Sequence, residues 1–196
     1  MKIPGIGIFI LILSCLALLS FDHPVKKKKR NLHRTGVAGP AISPAKDSVE
    51  NHWYIIVSKS AYELKVYDEE GWYATYPIVL GSDDMTDKLY QGDKRTPEGK
   101  FRIVLKKIHP QWGPELLLDY PNKESFERFT ERKAKGLIPK NARIGSGIAI
   151  HATRPQEEWT VDNYYNWTEG CITAKYTEMQ DLYSYIPVGT PVTIVR

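Results

Sequence analysis

Cysteine is nearly absent from this chain: of 196 residues, two are Cys. Cys15 lies inside an apolar N-terminal run, so Cys171 stands alone in everything after it. That excludes a disulfide framework for the later part of the chain, and a cysteine-rich zinc module with it. Charge of one sign is scarce too. The formal net charge is +4, but residues 1–50 carry eight Lys and Arg against three Asp and Glu, leaving nineteen against twenty beyond them. The excess sits in a tail, which argues against a nucleic-acid-binding domain, since such a domain carries its basic footprint on the fold. His52 and His109 have no ligand-type spacing around them, so no metal is expected. "GDKRTPEG" (92–99) lacks the Gly-Lys-Ser/Thr ending of a phosphate loop, and no internal repeat is visible. No cofactor is expected.

What remains is one domain and two attachments. Residues 1–21 hold a lysine and then an uncharged apolar run, Ile3 to Phe21, which suits a signal peptide or a single membrane anchor in contact with the membrane. "ILSC" (12–15) weakly resembles a lipoprotein cleavage box, although the apolar stretch continues through Leu19. Residues 22–50 are rich in Pro, Gly, Ser and Lys with no apolar period, and read as a basic, disordered linker. Its "KKKKR" (26–30) suits a tether drawn to acidic lipid or polymer, though a positive-inside count favours a cytoplasmic flank.

Residues 51–196 read as the folded domain, with aromatics enough (12 Tyr, 5 Trp and 5 Phe in the whole chain) to build a core without disulfides. "HWYIIVSK" predicts a strand, and "AYELKVYDEEGWYATYPIVLG" alternates around "DEEG" as a hairpin. Further strands are predicted at "GKFRIVLKKI" (99–108), "GIAIHAT" (147–153) and the terminal "GTPVTIVR". A surface helix is expected over 122–136, ending at Gly136. A second is expected over 176–186, with Thr177 as N-cap and Gln180 completing a capping box. The fold class is therefore mainly β, a sandwich or barrel of at least five strands with two helices.

A lone thiol behind a glycine, "EGCI" (169–172), invites a chemical reading. A thiol attacks carbonyls as thiolate and needs a base. His151 ends the short apolar strand, twenty residues earlier, and a polar aromatic loop connects the two. Gly170 permits a tight turn that can aim its own amide and that of Cys171 at an oxyanion. The chemistry alone leaves a second reading equally open: Cys171 as a small buried hydrophobe and His151 as a satisfied core histidine.

Longer motifs add to the pair. "IHATRPQEEWTVDNYYNWTEGCI" resembles the active-site motif of L,D-transpeptidase (YkuD-like) catalytic domains, with His151, Thr168, Gly170, Cys171 and Ile172 in the family's places. "GDKRTPEGKFRI" (92–103) is similar to the family's Thr-Pro-x-Gly-x-Phe/Tyr signature, and "VGTPVTIV" (188–195) to its closing strand. "LDYPNK" (118–123) is similar to a branch that includes peptidoglycan–protein hydrolases. The resemblance spans roughly residues 52–196 in the family's order.

The resemblance implies a β-sandwich of mixed sheets with one or two short helices. It also implies acyl transfer on peptidoglycan stem peptides, through a thioester on Cys171 with His151 as base and Gly170 at the turn. The Ala152 carbonyl is expected to orient the imidazole. Thr168, Glu169, Trp167, Arg154 and Thr173 are the candidate substrate-binding residues. Tyr164 and Tyr165 are expected to join Trp167 in an aromatic wall. The chain departs from the family at Glu169, where a second His is usual, and at Thr173, where Asn or Arg is frequent. A same-fold hydrolase and a non-catalytic wall-binding module are the alternatives. The implied location is the periplasm or cell envelope, with export through the N-terminal segment, and the implied state is a monomer.

Overall fold

The computed structural model describes residues 25–28 and 51–196. The signal or anchor expected at 1–21 and nearly all of the 22–50 linker lie outside the described residues. Among the described residues, no helix is long and apolar enough to cross a membrane.

The chain builds β1 (Lys26–Lys27), β2 (Tyr54–Ser58), β3 (Glu63–Asp68), β4 (Gly71–Pro77), β5 (Gly99–His109), β6 (Gly113–Leu118) and α1 (Lys123–Ala134). It continues with β7 (Ala149–Ala152), a 3-10 turn (Pro155–Glu157), α2 (Trp159–Asp162), β8 (Ile172–Ala174), α3 (Tyr176–Tyr185) and β9 (Pro191–Val195). Neighbouring strands run in the order β1-β4-β3-β2-β9-β5-β6-β7-β8. The pairings are mixed: β2–β9 and β7–β8 are parallel and the rest antiparallel. This is the expected mixed, mainly β architecture with three helices, where one or two were expected; the addition is the single turn α2. β6 and β8 were not foreseen as strands. Nor was β1, in which Lys26 and Lys27 leave the expected linker to pair with Thr75 and Ala74 of β4.

β5 belongs to two ladders. Its first part, Gly99–Arg102, pairs with β9, and its second, Ile103–His109, pairs with β6 across a register shift between Ile103 and Leu105. The strands on either side of that transition form two sheets. Alternation then decides what each face meets. On β6, β7 and β8, Leu116, Leu118, Ile150, Ile172 and Ala174 are buried in the core, while Glu115, Leu117, Ala149, His151 and Thr173 take the opposite face. The core gathers these residues with Ile55, Val57, Leu64 and Val66 of the first sheet and Met179 and Leu182 of α3.

Two helix ends explain their boundaries. Asn122 caps α1, its Oδ1 accepting from the Ser125 N–H at 3.0 Å, and Gly136 at φ +68° lets the chain leave after the last turn. The N-cap of α3 is Lys175, not Thr177. The Glu178 carboxylate accepts from the Lys175 N–H at 3.3 Å, while Thr177 bonds to Glu158 through its N–H and hydroxyl.

Candidate active site

The outer face of β6–β7–β8 is the floor of a groove of about 420 Å³ lined by Lys107, His109, Trp112, Glu115, Ala149, His151 and Cys171, with Leu117 and Gly147. Register places the residues in a row. Glu115 of β6 lies opposite His151 of β7, and His151 lies beside Thr173 of β8. Cys171 comes just before β8, two residues from Thr173, and so returns to the face of Thr173 and His151. The thiol is partly buried and donates to the Gly147 carbonyl at 3.5 Å.

His151 is held at both nitrogens. Nδ1 lies 2.9 Å from the Ala152 carbonyl, the partner expected from the sequence. A carbonyl only accepts, so Nδ1 carries the proton and Nε2 is the lone-pair nitrogen in the neutral ring. The Thr173 hydroxyl lies 3.3 Å from Nε2 and donates to it. Trp112 and Trp167 close over the imidazole, with ring centroids 5.8 Å away in each case and 5.1 Å from each other. His151 is buried as a result.

Burial governs both titratable groups. It pushes the Cys171 thiol up from its ordinary value, and Glu115 adds to this, while a backbone bond from Ala149 and the Lys88 charge act the other way. Burial likewise pushes the His151 imidazole down, against the raising influence of the Ala152 bond and Glu115, with His109 assisting the fall. Both shifts favour the uncharged forms, so the resting pair is thiol and imidazole.

The turn before Cys171 is built by close backbone approach. Gly170 adopts φ +123°, and a Cβ there would sit 2.6 Å from the Arg95 carbonyl oxygen. Across the turn, a Cβ on Gly81 would collide with the Lys94 carbonyl and sit 2.6 Å from the Gly170 nitrogen. Thr168 ties the turn together: its hydroxyl donates to the Cys171 carbonyl at 2.8 Å and accepts from the Gly170 N–H at 3.1 Å. The Gly170 amide is thereby committed within the loop, which corrects the expectation that it faces an oxyanion.

Beneath the turn lies Lys88, buried and paired with Asp93 at 2.7 Å. Asp93 also accepts from the amides of Leu89, Tyr90 and Arg95. α1 secures this loop from outside, Arg132 reaching the Lys88 carbonyl at 2.8 Å and Asp87 at 2.6 Å.

Of the remaining candidates, Thr173 is fully buried against His151 Nε2, Trp167 packs on the imidazole, and Thr168 supports the turn from the loop. Arg154 lies at the rim, stacked 4.8 Å from the Trp112 ring and paired with Glu157 at 2.8 Å. Glu169 stands apart: its side chain is 73% exposed and faces Lys94 at 3.6 Å. Tyr164 and Tyr165 do not join the wall; Tyr164 packs on Tyr62 and Tyr165 on Trp159. The second aromatic of the wall is Trp112, which the sequence did not single out, nor did it single out Lys88 and Glu115; His109, considered there only as a metal ligand, also lines the groove. Trp112 and Glu115 flank "WGPE", where a Gly-Pro pair signals a turn and conceals a strand start. Among the described residues, no group of three or more His, Cys, Asp or Glu side chains converges as a metal site.

This mixed, mainly β fold is that of L,D-transpeptidase catalytic domains. The chain belongs to that family: residues 52–194 match the L,D-transpeptidase catalytic domain (YkuD). It is 30% identical over 142 residues to YqjB of Bacillus subtilis (strain 168), an L,D-transpeptidase by name, the alignment covering 72% of this chain and 70% of YqjB. Among solved structures it resembles Pgp2, the helical cell shape determining protein of Campylobacter jejuni, with TM-score 0.54 and 20% identity over 72% of this chain and 46% of that one. The K307A mutant of Pgp2 gives TM-score 0.54 and 24% identity over 74% and 47%. The aligned region is thus less than half the length of those solved chains.

Proposed function

We propose that this protein is a cysteine-dependent acyltransferase of the cell envelope, acting on peptidoglycan stem peptides with Cys171 as nucleophile and His151 as base. The observation that carries the reading is the shared face: a neutral Nε2 lone pair, fixed by Nδ1–H donation to Ala152, lies on the same side of β7–β8 as the thiol. In the first step the Cys171 proton passes to His151 Nε2 and the sulfur bonds to the carbonyl carbon of the stem's third residue. Collapse of the tetrahedral intermediate breaks the amide, and His151 returns the proton to the departing D-alanine amine. In the second step His151 takes a proton from an acceptor amine as its nitrogen attacks the thioester, and the thiol is regenerated. Gly170 and Thr168 hold the turn that presents the sulfur. Thr173 keeps Nε2 in place until the thiol engages it, and Trp112 and Trp167 shield the imidazole from water. Arg154 shapes the rim, and Glu169 contributes surface charge rather than chemistry. The N-terminal run exports or anchors the protein, which works as a monomer.

The test is to incubate the full chain with tetrapeptide stems and analyse the products by mass. New stem dimers, absent with C171A and H151A, are expected. Tripeptide without dimers points to the hydrolase reading, which the missing second histidine at Glu169 favours. A thiol inert towards an electrophilic carbapenem, with the wild-type cellular phenotype preserved in C171A, would establish the non-catalytic wall-binding module instead.

A further inference from the structure

The groove contains a carboxylate that the two-step scheme leaves unused. Glu115 is buried, at 7% exposure, on the strand that flanks His151 on the side away from Cys171. Directly opposed residues of antiparallel strands hold their Cβ atoms about 4.5–5.5 Å apart on one face. His151 therefore occupies the middle of a row, with the nucleophile towards β8 and a carboxylate towards β6. The partner of Glu115 is Lys107, at 3.1 Å, whose side chain is 43% exposed. An ion pair with so exposed a member is weakly held, and an incoming cation can take the place of Lys107 at small cost.

We propose that Glu115 is a specificity-determining residue that binds the ammonium form of the acceptor amine, on the opposite side of His151 from the donor thioester. This rests on the acyltransfer reading above. The ammonium held by Glu115 first releases one proton to water; the neutral amine then gives a second proton to Nε2 as its nitrogen attacks the Cys171 thioester, and that second proton ends on the regenerated thiol. Water carries no charge for Glu115 to hold, so the carboxylate favours amine over water as the group that resolves the thioester.

The test separates this idea from catalysis by using the full chain with Cys171→Ala, which cannot turn over. The probe is a stem tripeptide with a free side-chain amine, compared with its N-acetyl derivative by titration calorimetry. The free amine is expected to bind about tenfold more tightly, as a charge-assisted contact in a desolvated groove supplies. Adding Glu115→Gln should abolish that preference without lowering the affinity for the acetylated probe. Retention of the preference in the Gln variant, or no preference at all with intact Glu115, overturns the proposal. Lys107→Met leaves the carboxylate in place and keeps the test decisive should Glu115→Gln fail to fold; the preference should persist or grow, and its loss counts against the idea. Acylation of wild-type Cys171 by a tetrapeptide stem, followed by intact mass, reports separately on the nucleophile. In wild type against Glu115→Gln, the dimer-to-tripeptide ratio, normalised to the acyl-enzyme each forms, should drop about tenfold in the variant.

Discussion

Replacing Gly170 with alanine challenges the turn that carries Cys171, and the structure separates the penalty into two parts. The first is conformational. At φ +123° the backbone occupies a region that is essentially glycine-only, where a side chain costs about 1–3 kcal/mol. The second is a collision: the new Cβ would lie 2.6 Å from the Arg95 carbonyl oxygen and 3.3 Å from both Ile148 Cδ1 and Lys88 Nζ. Arg95 cannot retreat freely, because its N–H donates to Asp93 at 3.1 Å and its carbonyl accepts from Lys88 at 3.3 Å. Overpacking of this kind adds about 1–3 kcal/mol. Gly170→Ala should therefore destabilise the fold by about 2–6 kcal/mol. Gly71→Ala is the control. Gly71 sits at φ +104° in the hairpin turn, and a Cβ there would meet nothing within 4 Å, so this substitution brings strain without collision. Urea unfolding followed by tryptophan fluorescence on both variants isolates the contact term as their difference. A Gly170→Ala variant within about 0.5 kcal/mol of wild type would refute the reasoning, since surface-like tolerance has no place in so close an approach.

Other consequences can be measured directly. Because burial raises the thiol and lowers the imidazole, iodoacetamide alkylation of Cys171 should keep climbing with pH past the ordinary thiol value; an acid-side plateau, the mark of a thiolate–imidazolium pair, would contradict it. Stem acylation should lose its rate only below the ordinary imidazole value of about 6.5, as Nε2 becomes protonated. Burial pushes Glu178 of α3 up to about 7, so its contribution favours the fold below the ordinary carboxylate range and is lost as pH rises through about 7. Glu178→Gln should remove a loss of about 3 kcal/mol between acid and neutral pH, read from urea melts across that window. Lys88→Met leaves Asp93 charged and buried without its cation, the two side chains being 4% and 5% exposed. It should cost about 3–5 kcal/mol of stability, and a change under 1 kcal/mol by the same melts would argue against a structural role for the pair.

The sequence exposed those parts of the molecule in which local pattern and tertiary environment agree. The β3–β4 hairpin has one face inward and one outward, so its alternation is visible, and the glycine at its turn marks the reversal. His151, Gly170 and Cys171 were legible as a motif because their residue types are uncommon together. β6 was hidden for a physical reason: it is flanked by strands on both sides and buried on both faces, and its one charged residue, Glu115, faces a groove rather than solvent. β8 is three residues long, too short to display a period. Lys88 occurs in "DDMTDKLYQGDKR", which reads as solvated loop; only the folded chain reveals that Asp93 and α1 take it out of water. Glu169 attracted attention as a departure from the family pattern, yet its side chain turns outward to Lys94.

The strand shared between the two ladders has a consequence for how the groove can respond to a ligand. From Gly99 to His109 the chain is one continuous strand, paired first with β9 and then, past the register shift at Ile103–Leu105, with β6. A rigid-body hinge between the sheets would have to break that strand at its middle, near Ile103, whose side chain is 1% exposed. Amide protons on β9, β5 and β6 should accordingly exchange together, in one slow cooperative opening, rather than sheet by sheet. Accommodation of substrates of different girth then falls to the half-buried indole rings above the floor, while the row of Glu115, His151 and Thr173 beneath them stays in register.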